Sequence, residues 1–86
     1  MYEYSERRSV VFTDEGQKMF LSIRDRSKRL LRDGGAFTMS AVISGESGVS
    51  WDMLACVDRL VELGEIREVT APGSVAGQNR VFIKAE

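Results

Sequence analysis

The side chains that usually carry out catalysis are sparse in this chain. It contains no histidine, which excludes a histidine base, a histidine-activated nucleophile and a histidine-ligated metal. Its single cysteine, Cys56, excludes an internal disulfide and a multi-cysteine zinc site. Asp58 and Glu62 are spaced as neighbours on one helix, but on its exposed side rather than in a pocket. We therefore expect no enzyme, no cofactor and no metal site.

Basic side chains are the more informative group. Between Arg24 and Arg32 the chain has five basic residues and one acidic residue. Arg24, Lys28 and Arg32 follow each other at intervals of four, so a helix would place them on one ridge. Neutralisation of phosphates by lysine and arginine provides most of the affinity of proteins for nucleic acids. The ridge therefore predicts phosphate contacts, and the alternative interpretation is an ordinary solvated helix face.

The overall composition limits the remaining function classes. The 86 residues carry 12 basic and 13 acidic side chains, a formal net charge of -1, which excludes a broadly basic histone-like protein. Apolar residues make up 43% of the chain, enough for the core of one small domain. No apolar run is long enough to cross a membrane, and a single cysteine suits a reducing cytoplasm. The prediction is a cytoplasmic protein with no membrane partner.

The elements that must position the basic residues begin after a short arm. Residues 1–12 are predicted to form an N-terminal arm, with a short strand at 9–12 or an apolar lead-in to the following helix. Thr13 is a typical helix N-cap, and apolar residues at helical spacing follow it. A helix is therefore predicted over residues 14–33, ended by two glycines. The folded domain is predicted to span residues 13–86.

Two more helices are expected before the strands. Thr38 predicts the cap of a brief helix, just after Phe37, which we expect to point into the core. Ser50 predicts the cap of a helix over residues 51–63 that stops at Gly64. The inward stripe of this helix is predicted to be Met53, Leu54, Val57, Leu60, Val61 and Gly64.

The C-terminal part predicts a β-hairpin and completes an α+β fold. Strands are expected at residues 67–70 and 79–85, on either side of a glycine-containing loop. In the second strand, alternate residues point to opposite faces. One face is predicted to hold Val81, Ile83 and Ala85, and the other Arg80, Phe82 and Lys84.

The order of these elements resembles that of the winged helix-turn-helix superfamily over about residues 13–85. The stretch Leu60-Val61-Glu62-Leu63-Gly64-Glu65-Ile66 looks like the end of the recognition helix in bacterial winged-helix regulators. Asn79-Arg80-Val81-Phe82 looks like the return strand of their wing. The resemblance implies a winged helix, a three-helix bundle followed by a C-terminal β-hairpin wing. It also implies a small DNA-binding transcriptional regulator whose second motif helix enters the major groove.

The charge of the predicted recognition helix points to a different mode of binding. Between Glu46 and Glu68 there are six acidic residues against two basic residues, so this region would be repelled by a duplex. Phosphate contacts are therefore expected from the ridge of the first helix and from the wing. The alternative is a protein-interaction module that uses the acidic helix face around Trp51. Its partner would carry a basic groove, or would be a second copy.

Two sets of candidate residues follow from these interpretations. The residues expected to contact nucleic acid are Arg24, Lys28, Arg32, Ser50, Arg59, Arg80 and Lys84. The residues expected at a protein interface are Trp51, Asp52, Ala55 and Phe82, with burial as the alternative for Trp51 and Phe82. A homodimer is expected, because a symmetric pair would double the phosphate contacts. The N-terminal arm or the first helix would join the two chains.

Overall fold

Helices form most of the fold, and one small sheet closes it. In the computed structural model, which describes all 86 residues, the chain is an α+β fold. The helices are α1 (Tyr4–Arg7), a 3-10 helix (Arg8–Phe12), α2 (Asp14–Gly34), α3 (Met39–Ile43) and α4 (Ser50–Glu62). The strands are β1 (Ala36–Thr38), β2 (Ile66–Glu68) and β3 (Val81–Lys84), and a 3-10 turn (Gly77–Asn79) precedes β3.

The caps of α2 and α3 are those that the sequence predicts. The hydroxyl of Thr13 accepts a hydrogen bond from the backbone N–H of Gly16 at 3.0 Å. The hydroxyl of Thr38 accepts one from the backbone N–H of Ala41 at 3.2 Å. Each bond satisfies one of the N–H groups that a helix leaves free in its first turn. Gly35 ends α2 with φ 78°, a left-handed conformation that favours glycine.

The N-terminal end of α4 differs from the prediction by one residue. Val49 has the extended cap conformation, and Ser50 is the first helical residue, so the assignment of Ser50 as the cap is wrong. No side chain caps this helix, and the backbone N–H of Met53 bonds to the Val49 carbonyl. At the other end, Gly64 adopts φ 77° and lets the chain turn into β2, as predicted.

The sheet has one strand more than the sequence predicts. β3 lies between β1 and β2 and is antiparallel to both, which confirms the predicted hairpin and adds β1 to it. β1 has only three residues, too few to show an alternating pattern. Its Phe37 pairs with Phe82 of β3, and the two rings stack with centroids 5.5 Å apart. Both side chains face the core.

Residues 1–12, here called the N-terminal segment, fold back onto the helices. The strand considered at residues 9–12 is wrong, because this stretch is a 3-10 helix. The segment packs against α4, and Val11 is 1% exposed in the core. Gly16 permits this return, because a Cβ atom there would clash with the carbonyl oxygen of Val10. A polar, charged stretch is held in place by contacts that only the folded chain supplies.

The core lies between α2, α4 and the inner face of the sheet. Its fully buried side chains include Ile23 of α2, Leu60 of α4 and Phe82 of β3. Val57 is buried and Leu54 is half-buried, in line with the predicted stripe, but Gly64 is exposed, so its place in that stripe is wrong. Cys56 is also in this core, where burial, with help from Asp52 and Glu46, raises the pKa of its thiol to about 12. The thiol is therefore protonated at neutral pH.

No helix of the structure is both long enough and apolar enough to cross a membrane.

Candidate nucleic-acid interface

Three of the predicted phosphate contacts come together around one opening. A cleft of about 800 Å³ lies between the C-terminal half of α2, the turn after α4 and the end of β3. Lys28 and Arg32 of α2 and Lys84 of β3 line it, over a floor that includes Leu31 and Ile66. We call this site, defined by these five residues, the basic cleft. Lysine and arginine in one open cleft are the donors that an anion requires.

The helix period and the strand register explain why these side chains meet. The opposite side of α2 is buried through Phe20, Ile23 and Ser27, so the residues at intervals of four from Lys28 stay at the surface. Lys84 pairs across the sheet with Ile66, the first residue after the turn that follows α4. This register sets an exposed lysine at the rim of the core, facing the end of α2.

The cleft keeps its positive charge because few carboxylates lie near it. Lys28 and Lys84 form no ion pair. Arg32 approaches only its neighbour Asp33 at 3.8 Å, and both side chains are largely exposed, so the pair contributes little. The exception is Glu65 at the cleft wall, which Arg24 binds at 3.2 Å. Arg24 therefore lies on the predicted ridge but its charge is already compensated.

Arg80 occupies a different place from the one the sequence suggests. Its guanidinium contacts Asp58 at 2.8 Å and Glu68 at 2.9 Å, and its side chain is 20% exposed. Partial burial alone lowers the pKa of Arg80, but the hydrogen bonds to Glu68 and Asp58 outweigh it and raise the pKa above its usual value. The same contact holds the pKa of Glu68 below its usual range. Arg80 joins α4 to the hairpin and is not a free phosphate ligand.

The two candidates on α4 also lie away from the basic cleft. Ser50 is at the start of α4, whereas the cleft begins beyond its last residue, about 20 Å along the helix axis. Arg59 binds Glu62 at 2.7 Å and lies 5.0 Å from the centre of the Phe12 ring. Neither residue is placed to act together with Lys28 and Lys84.

Two of the predicted interface residues are buried. Ala55 is 0% exposed, because α4 is covered on more sides than a single stripe implies, by α2 and by the N-terminal segment. Phe82 is also 0% exposed and belongs to the core through its stack on Phe37. Their assignment to an interface is therefore wrong.

The other two, Trp51 and Asp52, lie on a face of α4 that the chain covers itself. We call this the outer face of α4 and define it by Trp51, Asp52, Asp58 and Glu62. Tyr2 packs edge-on to Trp51 with centroids 6.5 Å apart, and the guanidinium of Arg7 lies 4.9 Å from the Trp51 ring. Trp51 remains 38% exposed, and its contacts are to the N-terminal segment rather than to Phe37.

The carboxylates of this face are compensated within the chain. Tyr4, Arg59 and Arg8 all donate hydrogen bonds to Glu62, and together they lower its pKa to about 2. Burial, together with the bond to Glu62, raises the pKa of Tyr4 to about 12. The charge of Glu62 is therefore compensated by Arg59 of α4 itself and by Tyr4 and Arg8 of the N-terminal segment.

Replacing Glu62 by glutamine tests this compensation through pH. A carboxylate whose pKa falls on folding stabilises the fold above its unfolded pKa and loses this contribution as the pH drops through the folded value. We expect Glu62→Gln to be less stable than the parent near neutral pH, with the difference shrinking below about pH 4.5 and vanishing near about pH 2. Urea unfolding across this range measures it. Glu6→Gln, at an exposed carboxylate with no ion pair, is the control, and an equal effect there would contradict the assignment.

The docking of the N-terminal segment is a feature of this surface that sequence reasoning misses. The sequence predicts a loose arm, because the partners of the segment are more than forty residues away along the chain. The one available signal is Gly16, a glycine inside an otherwise regular helical pattern, which marks a close approach of another segment.

Comparison with known proteins finds no family model, no curated protein and no solved structure that matches this chain.

Proposed function

We propose that this chain is a winged-helix-type domain that binds nucleic acid through the phosphate backbone, using the basic cleft. One observation carries the proposal. Lys28 and Arg32, on one helix, and Lys84, more than fifty residues later, converge on one open cleft. The one carboxylate that lines this cleft is already paired with an arginine outside it. Arg80, by contrast, is engaged in ion pairs with Asp58 and Glu68.

The order of the elements supports the winged-helix part of the proposal. A long helix, a brief helix and a third helix precede an antiparallel hairpin, which is the order that the sequence resemblance implies. The hairpin loop between Glu68 and Val81 would be the wing. A similar order of elements does not by itself identify a ligand, so the proposal of nucleic acid as the ligand is based on the basic cleft.

The position of the charge implies contacts to phosphates rather than to base edges. Base readout requires side chains that enter a groove, usually from the first turns of a recognition helix. Here that part of α4 carries Trp51 and Asp52 and lies under the N-terminal segment. Binding is therefore expected to depend strongly on salt and weakly on base sequence.

Titration of a mixed-sequence DNA duplex at several salt concentrations tests this function. With three cations in contact with phosphates, the logarithm of the association constant is expected to fall with the logarithm of the salt concentration with a slope of about −3. Fluorescence anisotropy of a labelled duplex measures the slope. A duplex of shuffled sequence serves as the control and is expected to bind equally well. Absence of binding even at about 20 mM salt, where phosphate contacts are strong, would overturn the proposal.

A further inference from the structure

The outer face of α4 is already occupied by a segment of defined chemistry. The hydroxyl of Tyr2 donates to Asp58 at 2.6 Å, and that of Tyr4 donates to Glu62 at 2.7 Å. Arg8 binds Glu62 at 2.9 Å. Arg7 lies 3.6 Å from Asp52. Asp58 and Glu62 thus have hydrogen-bonding partners from the N-terminal segment. Asp52 has only the nearby Arg7 guanidinium, and its buried Oδ1 forms no hydrogen bond.

The contacts between the segment and α4 resemble those between a ligand and a receptor surface. They join side chains of opposite charge and aromatic rings, and most of them lie at or near the surface. Val11 is the only residue of the N-terminal segment that is buried in the core. Recognition through Tyr and Arg side chains on a complementary face is typical of protein interfaces rather than of domain cores.

A single residue separates the segment from α2. Residues on both sides of Thr13 are helical, and Thr13 itself is extended, with φ -76° and ψ 162°. Its hydroxyl holds the fold-back, donating to the Val10 carbonyl at 2.7 Å and accepting from the Gly16 N–H at 3.0 Å. A change in the ψ angle of Thr13 alone would continue the 3-10 helix into α2. The segment would then point away from its own α4.

We propose that the outer face of α4 is a docking surface for the N-terminal segment of a second copy of this chain. In the resulting homodimer, the two chains exchange their segments symmetrically. In the single chain the segment docks on its own α4, and in the homodimer it docks on the α4 of the other copy, with the same contacts. The two forms therefore differ only in the conformation of Thr13, here called the hinge, and in their dependence on protein concentration. The surface is separate from the basic cleft, and the inference does not depend on nucleic-acid binding.

Two charge reversals of the full-length chain test the exchange. In Arg8→Glu the segment would present a carboxylate to Glu62, and in Glu62→Arg the surface would carry a third arginine beside Arg8 and Arg59. Each variant alone opposes docking in both the closed and the exchanged form. In a mixture, the segment of each variant matches the α4 face of the other, so only the exchanged heterodimer restores both ion pairs.

The measurement is the mass in solution after the two variants are unfolded together and refolded at equal concentrations. We expect each variant alone to have the 9.6 kDa mass of one chain and the mixture to contain a species of twice that mass. The matched control replaces Arg8→Glu by Lys18→Glu, the same charge change at an exposed lysine without an ion pair, and is expected to give no dimer with Glu62→Arg. A mixture of Arg8→Glu and Glu62→Arg that contains only single chains, folded or unfolded, would overturn the proposal.

Discussion

Replacing Phe82 by alanine is expected to lower the free energy of unfolding by about 3–5 kcal/mol, a large part of the stability of a domain of this size. The side chain is 0% exposed and stacks on Phe37 with ring centroids 5.5 Å apart. Its removal would leave a cavity where β1, β3 and the helices meet, and the surrounding side chains would fill it only in part.

The free energy of unfolding of Phe82→Ala is measured by urea titration, with circular dichroism as the signal. Phe12→Ala is the matched control, since Phe12 is 49% exposed and rests between the guanidinium groups of Arg8 and Arg59. We expect a loss of about 1 kcal/mol there, the value of exposed cation–π contacts. An unchanged free energy of unfolding in Phe82→Ala would contradict the placement of this ring in the core.

Reversing the charge of the basic cleft is expected to abolish nucleic-acid binding. The variant combines Lys28→Glu, Arg32→Glu and Lys84→Glu, which removes the three proposed phosphate contacts and places negative charge at the same positions. At low salt we expect an affinity for a mixed-sequence duplex that is at least about 100-fold weaker. The three side chains are exposed and contribute little to folding, so the thermal midpoint should change little.

The control for this variant makes one charge reversal of the same kind at a position outside the basic cleft. The control is Lys18→Glu, because Lys18 is an exposed residue of α2 that lies outside the basic cleft. It changes the net charge in the same direction, so any long-range effect of charge will appear in it as well. Binding that falls equally, charge for charge, in Lys18→Glu and in the cleft variant would show that the cleft is not the contact surface.

Local sequence patterns were enough to predict the caps of α2 and α3 and the glycine turns that follow α2 and α4. The hydroxyls of Thr13 and Thr38 satisfy free N–H groups wherever the chain folds, and the glycines at 35 and 64 allow left-handed turns that other residues resist. These effects act within a few residues, so they can be predicted from the sequence without knowledge of tertiary contacts. The ridge of Arg24, Lys28 and Arg32 follows from the helix period for the same reason.

Which of these side chains stay exposed and without an ion pair depends on the packing of the whole chain. The alternation of β3 separates Phe82 from Val81, but only pairing with Phe37 of β1 makes the Phe82 side the inner one. Likewise, Arg80 and Lys84 are both basic and lie on the same face of the strand predicted at residues 79–85, so the sequence does not distinguish their roles. The register places Arg80 between Asp58 and Glu68 and leaves Lys84 at the open cleft.

The N-terminal segment is the clearest case of this division. Its tyrosines and arginines find their partners on α4, more than forty residues away along the chain, and no local pattern encodes contacts of that separation. The net charge of a helix face depends on the helix residues and on every side chain that packs against them. The stretch of sequence that forms the helix shows only the first of these two contributions. The acidity of α4 was therefore visible from the sequence, whereas its neutralisation required the folded chain.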